Sequence, residues 1–225
     1  MRQIAVVIPA GGAGLRMGGV SKPLLELAGR SLLERSVRPF LDRDDVRWVI
    51  IALPPELAAA PPHWLMSDRR IDVVAGGAER GDSVRNALAA VPMEADIVLV
   101  HDAARPLVSA EVIERCVAAA AGGISAIAAI PVVDTIKEVD EGGRVTATPD
   151  RRTLWAAQTP QAFPAEVLRN AHARASADGI STTDDAALVA RYGCKVIVVE
   201  GAPENLKITS PADLAVAEML LRNRK

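Results

Sequence analysis

Residues 4–18, IAVVIPAGGAGLRMG, decide the reading of the fold. The continuous apolar run over residues 4–10 is what a strand covered on both faces requires. It passes directly into Gly11-Gly12-Ala13-Gly14, with Arg16 close behind and Lys22 following Ser21. Glycines let the backbone approach an anion closely and turn its N–H groups toward it. Arg16, a planar fork, and Lys22, a point charge, can then neutralise a polyphosphate. The turn fits neither common nucleotide loop. No Gly-Lys-Ser/Thr closes it as in a P-loop. Met17 stands where a dinucleotide fingerprint needs its third Gly or Ala, and no acid ends the second strand at Leu53. Taken alone, the segment also admits the reading of a tight strand-to-helix turn with solvated cations.

Outward from this turn, short apolar runs alternate with helical patterns. The runs at 46–53, 71–75, 96–100, 125–133 and 195–200 read as strands. Residues 31–41, 82–91, 110–121, 164–177, 184–192 and 211–222 read as helices. Ser31 followed by Glu34 is a capping-box pattern, and Ser210-Pro211 places a capping hydroxyl before a proline at the first helical position. The rhythm predicts one α/β domain over residues 1–225, with a Rossmann-like, mainly parallel sheet, helices on both faces and right-handed crossovers. Ligands of such sheets bind beyond the carboxyl ends of the strands. Residues 135–152, from Thr135 to Arg152, break the rhythm. They alternate β-branched and charged residues around Glu141-Gly142-Gly143, which predicts a projecting hairpin. An oligomerisation arm and a solvated surface hairpin are both open readings of it.

Composition narrows the classes. The chain of 225 residues is 50% apolar and 3% aromatic, so Ala, Val, Leu and Ile must build the core. No window of apolar residues is long enough for a transmembrane helix, and no signal peptide or membrane association is expected. A net charge of −2 argues against bulk nucleic-acid binding but leaves a local phosphate site open. Cys116 and Cys194 form no CxxC pair, so a reduced, cytoplasmic protein is the expectation.

A second cluster follows the strand at 96–100, in His101-Asp102-Ala103-Ala104-Arg105-Pro106. Asp102 falls just past a strand's carboxyl end, where the glycine turn also belongs. A carboxylate there can hold Mg²⁺ against a triphosphate, or it can simply cap the following turn. Arg105 can pair with Asp102 or meet a substrate phosphate. His101 is read as structural, with no catalytic role.

With these residues in place the sequence resembles the 2-C-methyl-D-erythritol 4-phosphate cytidylyltransferase family. PAGGAGLRMG at 9–18, SKP at 21–23, GGAERGDSV at 76–84, HDAARP at 101–106, PVVDTIK at 131–137, QTPQ at 158–161, TTDDA at 182–186 and ENLKITSPADL at 204–214 carry it, in order along nearly the whole chain. The resemblance implies a CTP site in which Ala10, Gly11, Gly12 and Gly14 hold the nucleotide and its phosphates. It implies that Arg16, Lys22 and Lys207 surround the triphosphate, that Gly77 and Ser83 read the cytosine, and that Asp102 serves the metal and ribose side. It places the acceptor polyol phosphate on Arg105, Thr135, Thr159 and Thr183, with Arg152 joining from the arm. By the same likeness, residues 135–152 exchange between the subunits of a homodimer. Departures from the pattern are small: Ala10-Gly11-Gly12 stands where many members have Ala-Ala-Gly, and Ala78 where some have a carboxylate.

The implied reaction is attack by an acceptor phosphate oxygen on the α-phosphorus of CTP, with loss of pyrophosphate. Such a nucleophile is already deprotonated near neutral pH, so charge repulsion and positioning are the obstacles. Lys22 and Lys207, far apart in sequence, are expected to converge on the α-phosphate, with Mg²⁺ and Arg16 on the departing pyrophosphate. Rival readings are a cytidylyltransferase for another polyol phosphate such as ribitol 5-phosphate, a molybdopterin guanylyltransferase, whose later motifs do not fit, and a non-catalytic nucleotide-binding regulatory domain.

Overall fold

The structure is a computed structural model that describes residues 2–11 and 22–223, with backbone only at Lys22. Its strands are β1 (Ile4–Pro9), β2 (Glu26–Leu27), β3 (Arg30–Ser31), β4 (Val46–Leu53), β5 (Ile71–Ala75), β6 (Ile97–Val100), β7 (Ser125–Pro131), β8 (Glu138–Val139), β9 (Val145–Ala147), β10 (Trp155–Pro164) and β11 (Val196–Glu200). Its α-helices are α1 (Leu32–Leu41), α2 (Pro55–Ala59), α3 (Arg80–Ala89), α4 (Ala110–Ala121), α5 (Ala165–Ala177), α6 (Asp185–Arg191) and α7 (Pro211–Asn223). Among the described residues no helix is long and apolar enough to cross a membrane.

A seven-stranded sheet in the order β11-β7-β10-β6-β1-β4-β5 organises the chain. All neighbours pair in parallel except β10, which runs antiparallel to both β6 and β7. Alternation along β1 divides the core. Ile4, Val6 and Ile8 pack with α1 and α4 residues such as Val37, Phe40 and Ile113. Ala5 and Val7 face the other way, toward Val84 and Ala87 of α3 and Leu168 of α5. Both faces of the central strands are thus dry, which is why those strands read as unbroken apolar runs rather than alternating ones. A third cluster of Leu27, Leu32, Leu107, Ile208 and Ala217 packs α7 beside the β2–β3 ladder.

Caps set the helix starts. Ser31 accepts from the Glu34 amide at 3.1 Å at the head of α1. The Asp213 carboxylate accepts from the Thr209 and Ser210 amides, both at 2.8 Å, at the head of α7. At α3 the Asp82 carboxylate reaches back to the Glu79 amide at 3.2 Å. The helix therefore begins at Arg80, before the expected residue 82.

β10 is absent from the sequence expectation. Its stretch Gln158-Thr159-Pro160-Gln161 places polar residues and a proline in mid-strand, which reads as a loop. In the sheet these residues are buried, the register shifts between Ala157 and Gln161, and the Thr159–Pro160 bond is cis. The segment 135–152 holds only the short β8–β9 ladder. Its turn is closed by Asp140, whose Oδ1 accepts from the Gly142 and Arg144 amides at 3.0 and 2.9 Å. Gly143 sits there at φ 78°, where a side chain is strained.

Candidate active site

A cavity of about 260 Å³ opens at the carboxyl end of the sheet. Order reverses at β1, between β6 and β4, and this is where such sheets leave a crevice. Pro9, Ala10 and Gly11 from the end of β1 form one wall, and Gly77, Ala78, Arg80 and Ser83 from the head of α3 form another. Asp102, Ala103 and Ala104 after β6 form the floor, with Lys207 and Pro23 at the rim.

The end nearest α3 is built for close backbone approach. Ser83 Oγ accepts from the Gly77 amide at 3.1 Å and donates to the Glu79 carbonyl at 3.2 Å. A Cβ added to Gly76 would lie 3.0 Å from that hydroxyl, and one added to Gly11 would lie 3.1 Å from it. At Gly77 a Cβ would lie 2.2 Å from the Cβ of Asp82, so no side chain fits there. The result is a wall of glycine backbone and one hydroxyl that leaves little room for added side chains.

Beside it the cavity is electrostatic. Lys207 Nζ lies 2.8 Å from Asp102 Oδ2, and Arg80 Nε lies 3.1 Å from Asp102 Oδ1. Burial by itself would raise the Asp102 pKa. The cations of Arg80 and Lys207 outweigh it and hold the carboxyl well below its usual range. Among the described residues no three His, Cys, Asp or Glu side chains cluster as a metal cage. A Mg²⁺ carried on a triphosphate needs only one protein carboxylate, because phosphate oxygens and waters complete its shell. Asp102 lines the cavity, but Arg80 and Lys207 hold its two oxygens, so such an ion would have to replace one of these cations.

Lys207 reaches this corner because three loops are joined by side-chain amides. Gln158 donates to the Ala202 carbonyl at 2.8 Å and accepts from the Ala202 amide at 3.2 Å. Asn205 donates to the Thr159 carbonyl at 2.8 Å, and the Ile208 amide bonds the Ala104 carbonyl at 2.8 Å. On the other side Gln161 donates to Asp184 at 2.7 Å and accepts from the Ala186 amide at 2.8 Å. The two glutamines of QTPQ thus clamp the segment bearing Lys207 on one flank and the segment bearing Thr183 on the other.

His101 lies behind the floor, fully buried and tilted against the Phe40 ring at 5.1 Å. Its Nε2 lies 3.1 Å from the Arg105 carbonyl, which requires a proton on Nε2. Its Nδ1 is then the acceptor for the Thr159 hydroxyl at 3.0 Å, while that hydroxyl accepts from the Asp102 amide at 3.0 Å. Burial lowers the His101 pKa to about 4, against the pull of Asp102. The imidazole is neutral and structural, as its sequence context suggests.

The expected site residues divide accordingly. Ala10, Gly11, Gly77, Ser83, Asp102 and Lys207 line one cavity. Gly12, Gly14 and Arg16 lie outside the described residues. Lys22 opens a 3₁₀ turn, Lys22–Leu24, whose Pro23 borders the same cavity. Thr159 lies under the floor, and its hydroxyl is engaged by Asp102 and His101. Arg105 is buried and donates to the Asn205 carbonyl at 2.7 Å and the Ala157 carbonyl at 3.2 Å, leaving its Nε unpartnered. Burial lowers its pKa. Thr183 is exposed at the head of the α6 segment, and Thr135 is exposed beside the arm. Arg152 lies in the arm, exposed and paired with Asp150 at 2.6 Å. Neither Thr135 nor Arg152 lines the cavity. Sequence reasoning missed Arg80, Asp185, Gln158, Gln161 and Asn205. Arg80 was visible only as a charge within GGAERGDSV, with nothing to tell it from a solvated residue.

Known proteins resemble this chain in sequence and in fold. A family model described as 2-C-methyl-D-erythritol 4-phosphate cytidylyltransferase matches residues 4–223. A relative of that name from Symbiobacterium thermophilum is 48% identical over 221 residues, covering 97% of this chain and 92% of its own. Another, from Prochlorococcus marinus, is 44% identical over 221 residues, covering 97% and 98%. The crystal structure of the 2-C-methyl-D-erythritol 4-phosphate cytidylyltransferase from Thermus thermophilus superposes with a TM-score of 0.83 at 38% identity, over 98% of this chain and 99% of that one.

Proposed function

The chain belongs to the 2-C-methyl-D-erythritol 4-phosphate cytidylyltransferase family, and from that premise we propose that it transfers CMP from CTP to the phosphate of 2-C-methyl-D-erythritol 4-phosphate, giving 4-diphosphocytidyl-2-C-methyl-D-erythritol and pyrophosphate. The observation that carries the reading is one cavity lined both by Gly77 and Ser83, read as the base slot, and by the Lys207–Asp102 pair. A cytidine ring in the slot would direct its triphosphate toward Lys207. Ala10 and Gly11, with Gly12 and Gly14 beyond them, would offer amides to the nucleotide.

The acceptor phosphate oxygen forms a bond to the α-phosphorus as the α–β bridging bond breaks, and pyrophosphate departs with its electron pair. No proton need move at the nucleophile, so the chain's task is to hold two anions together. Lys207 and Lys22 would stabilise the five-coordinate transition state, and Arg16 the leaving pyrophosphate. Asp102 would hold a Mg²⁺, which when bound neutralises phosphate charge. Thr183, Thr135 and Arg152 would bind the acceptor. Arg105, held by the Asn205 and Ala157 carbonyls, would add positive charge beneath the acceptor. Thr159 would serve it from below the floor.

The same reading makes the protein a cytoplasmic homodimer joined through residues 135–152. Val133, Ile136, Val139, Val145 and Trp155 are exposed on and beside the arm, an apolar strip that a second copy would cover. This also explains how Arg152, remote from its own cavity, could serve a site. A cytoplasmic location accords with two unpaired cysteines.

A panel assay tests the function. Purified protein with Mg²⁺ is given CTP or GTP, each with 2-C-methyl-D-erythritol 4-phosphate, ribitol 5-phosphate or no acceptor, and pyrophosphate is measured. Release only with CTP and the methylerythritol phosphate is expected. Preference for ribitol 5-phosphate would reassign the acceptor, and silence throughout would leave a binding domain. Light scattering should give a dimer mass that falls to monomer in Val139→Asp/Val145→Asp.

A further inference from the structure

Arg80, the first residue of α3, joins parts of the site that come from separate regions of the chain. Its Nε donates to Asp102 Oδ1 at 3.1 Å. Its Nη1 donates to Asp185 Oδ2 at 2.7 Å and to the Thr183 carbonyl at 3.3 Å. Asp185 is fully buried, and its Oδ1 is held by His172 Nε2 at 3.0 Å. The backbone of the acceptor segment lies directly on the helix head. A Cβ at Gly81 would lie 2.6 Å from the Thr182 carbonyl, and the Ser181 hydroxyl bonds the Glu79 carboxylate.

Stability alone is a weak reason for this arrangement, because a buried ion pair contributes little over a well-packed apolar substitute. Geometry is a better one. A guanidinium is a rigid fork, so two carboxylates and a carbonyl bound to it keep a fixed separation. Arg80 engages Oδ1 of Asp102, which leaves Oδ2 as the oxygen toward Lys207. We propose that Arg80 is a positioning residue for cytidylyl transfer, whose guanidinium sets the spacing between the acceptor segment at Thr183 and the Asp102–Lys207 corner. It acts through these groups rather than on the reacting phosphates. The inference rests on the reading that residues 182–186 face the acceptor.

Arg80→Lys tests it. The charge near the triphosphate is kept, but a single ammonium cannot span three partners. Equilibrium titration with CTP alone should give a Kd within about twofold of the parent, because the base slot and net charge are unchanged. Acceptor KM should rise about tenfold and kcat should fall about tenfold, as expected for a misplaced second substrate. Tm should move by only a few degrees, about the effect of 1 kcal/mol. Parent-like acceptor kinetics would overturn the proposal. So would a parallel loss of CTP affinity, acceptor affinity and Tm, which marks a purely structural role. If Arg80→Lys does not fold, Asp185→Asn keeps an oxygen for His172 and loosens the other arm of the fork. The same split between acceptor KM and CTP Kd is expected there, and its absence is equally fatal. Transfer by the parent protein in the same assay separates failure of this inference from failure of the functional reading.

Discussion

Lys207 holds its ammonium 2.8 Å from Oδ2 of Asp102. The pair is a resting contact: while it persists, the lysine's charge faces a carboxylate instead of a phosphate. On the proposed reading, an entering triphosphate would draw the ammonium away, and a cation on that triphosphate would take its place at Asp102. Exchange of partners, rather than creation of charge, then prepares the site.

Lys207→Ala should lower turnover about 10²-fold or more, the usual effect of losing one transition-state donor. Its influence on Tm should be modest, because the buried Asp102 carboxylate keeps Arg80 as a partner when Lys207 is lost. Lys22→Ala should behave alike. Pre-steady-state measurement of pyrophosphate formation checks both, and near-parent rates in the two variants would remove the lysines from the chemistry.

Two glycines one turn apart should fail differently. In Gly77→Ala the new Cβ meets the stem of Asp82 at 2.2 Å, which displaces the base slot. In Gly81→Ala it meets the Thr182 carbonyl at 2.6 Å, which pushes the acceptor segment away. We expect the first to raise KM for CTP about tenfold and the second to raise acceptor KM about tenfold. Steady-state kinetics with each substrate varied would expose an identical response, which would contradict this division of the cleft.

Thr159→Val keeps the shape and removes the hydroxyl that accepts from the Asp102 amide and donates to His101. Two buried polar groups lose their partner, for a destabilisation of about 2–4 kcal/mol. Thr159→Ser should recover most of it. Urea unfolding of the three proteins decides the matter, and equal stabilities would show the hydroxyl to be dispensable.

His101 sets an acid limit. Its pKa falls from 6.5 to about 4 on folding because burial disfavours the charged form. Between those values the unfolded chain binds the extra proton, so stability is lost as pH falls through that window. The loss is about 1.4 kcal/mol per pH unit and about 3 kcal/mol in all. The depressed carboxyls of Asp102 and Asp185 act lower, since their ordinary value is 3.8 and they weaken the fold only as they protonate. His101→Gln should flatten the Tm profile between pH 6.5 and 4 while leaving the steeper fall below it. An unchanged slope would show that another group governs the window.

Local pattern revealed most of the scaffold. The strands β1, β4, β5, β6, β7 and β11 are apolar runs bounded by turn residues, and the main helices carry periodic apolar faces with recognisable caps. β10 was hidden because Gln158, Thr159 and Gln161 are polar, and only their partners in distant loops make them admissible in a sheet. Asp102 was marked by its place after a strand and Lys207 only by the family resemblance, and both line the cavity. The site was not legible where a residue acts through contacts. Arg80 and Asp185 are separated by more than 100 positions in sequence, and no local signal marks either as the other's partner. Thr159 and Arg105 show the converse: both were placed against the acceptor, and both are largely occupied with holding loops.

The reversed direction of β10 has a mechanical consequence. A parallel strand would enter the sheet from the base and reach the ligand end last. β10 enters at the ligand end, with Trp155 opposite Pro131 of β7, so the arm between them joins the sheet at that end. Gln158, Thr159 and Gln161 come only a few residues after that junction; the first two tether the loop bearing Lys207 and the third the loop bearing Thr183. A load applied to the arm by a neighbouring molecule would therefore be felt at the catalytic end of the sheet before it reached the hydrophobic interior.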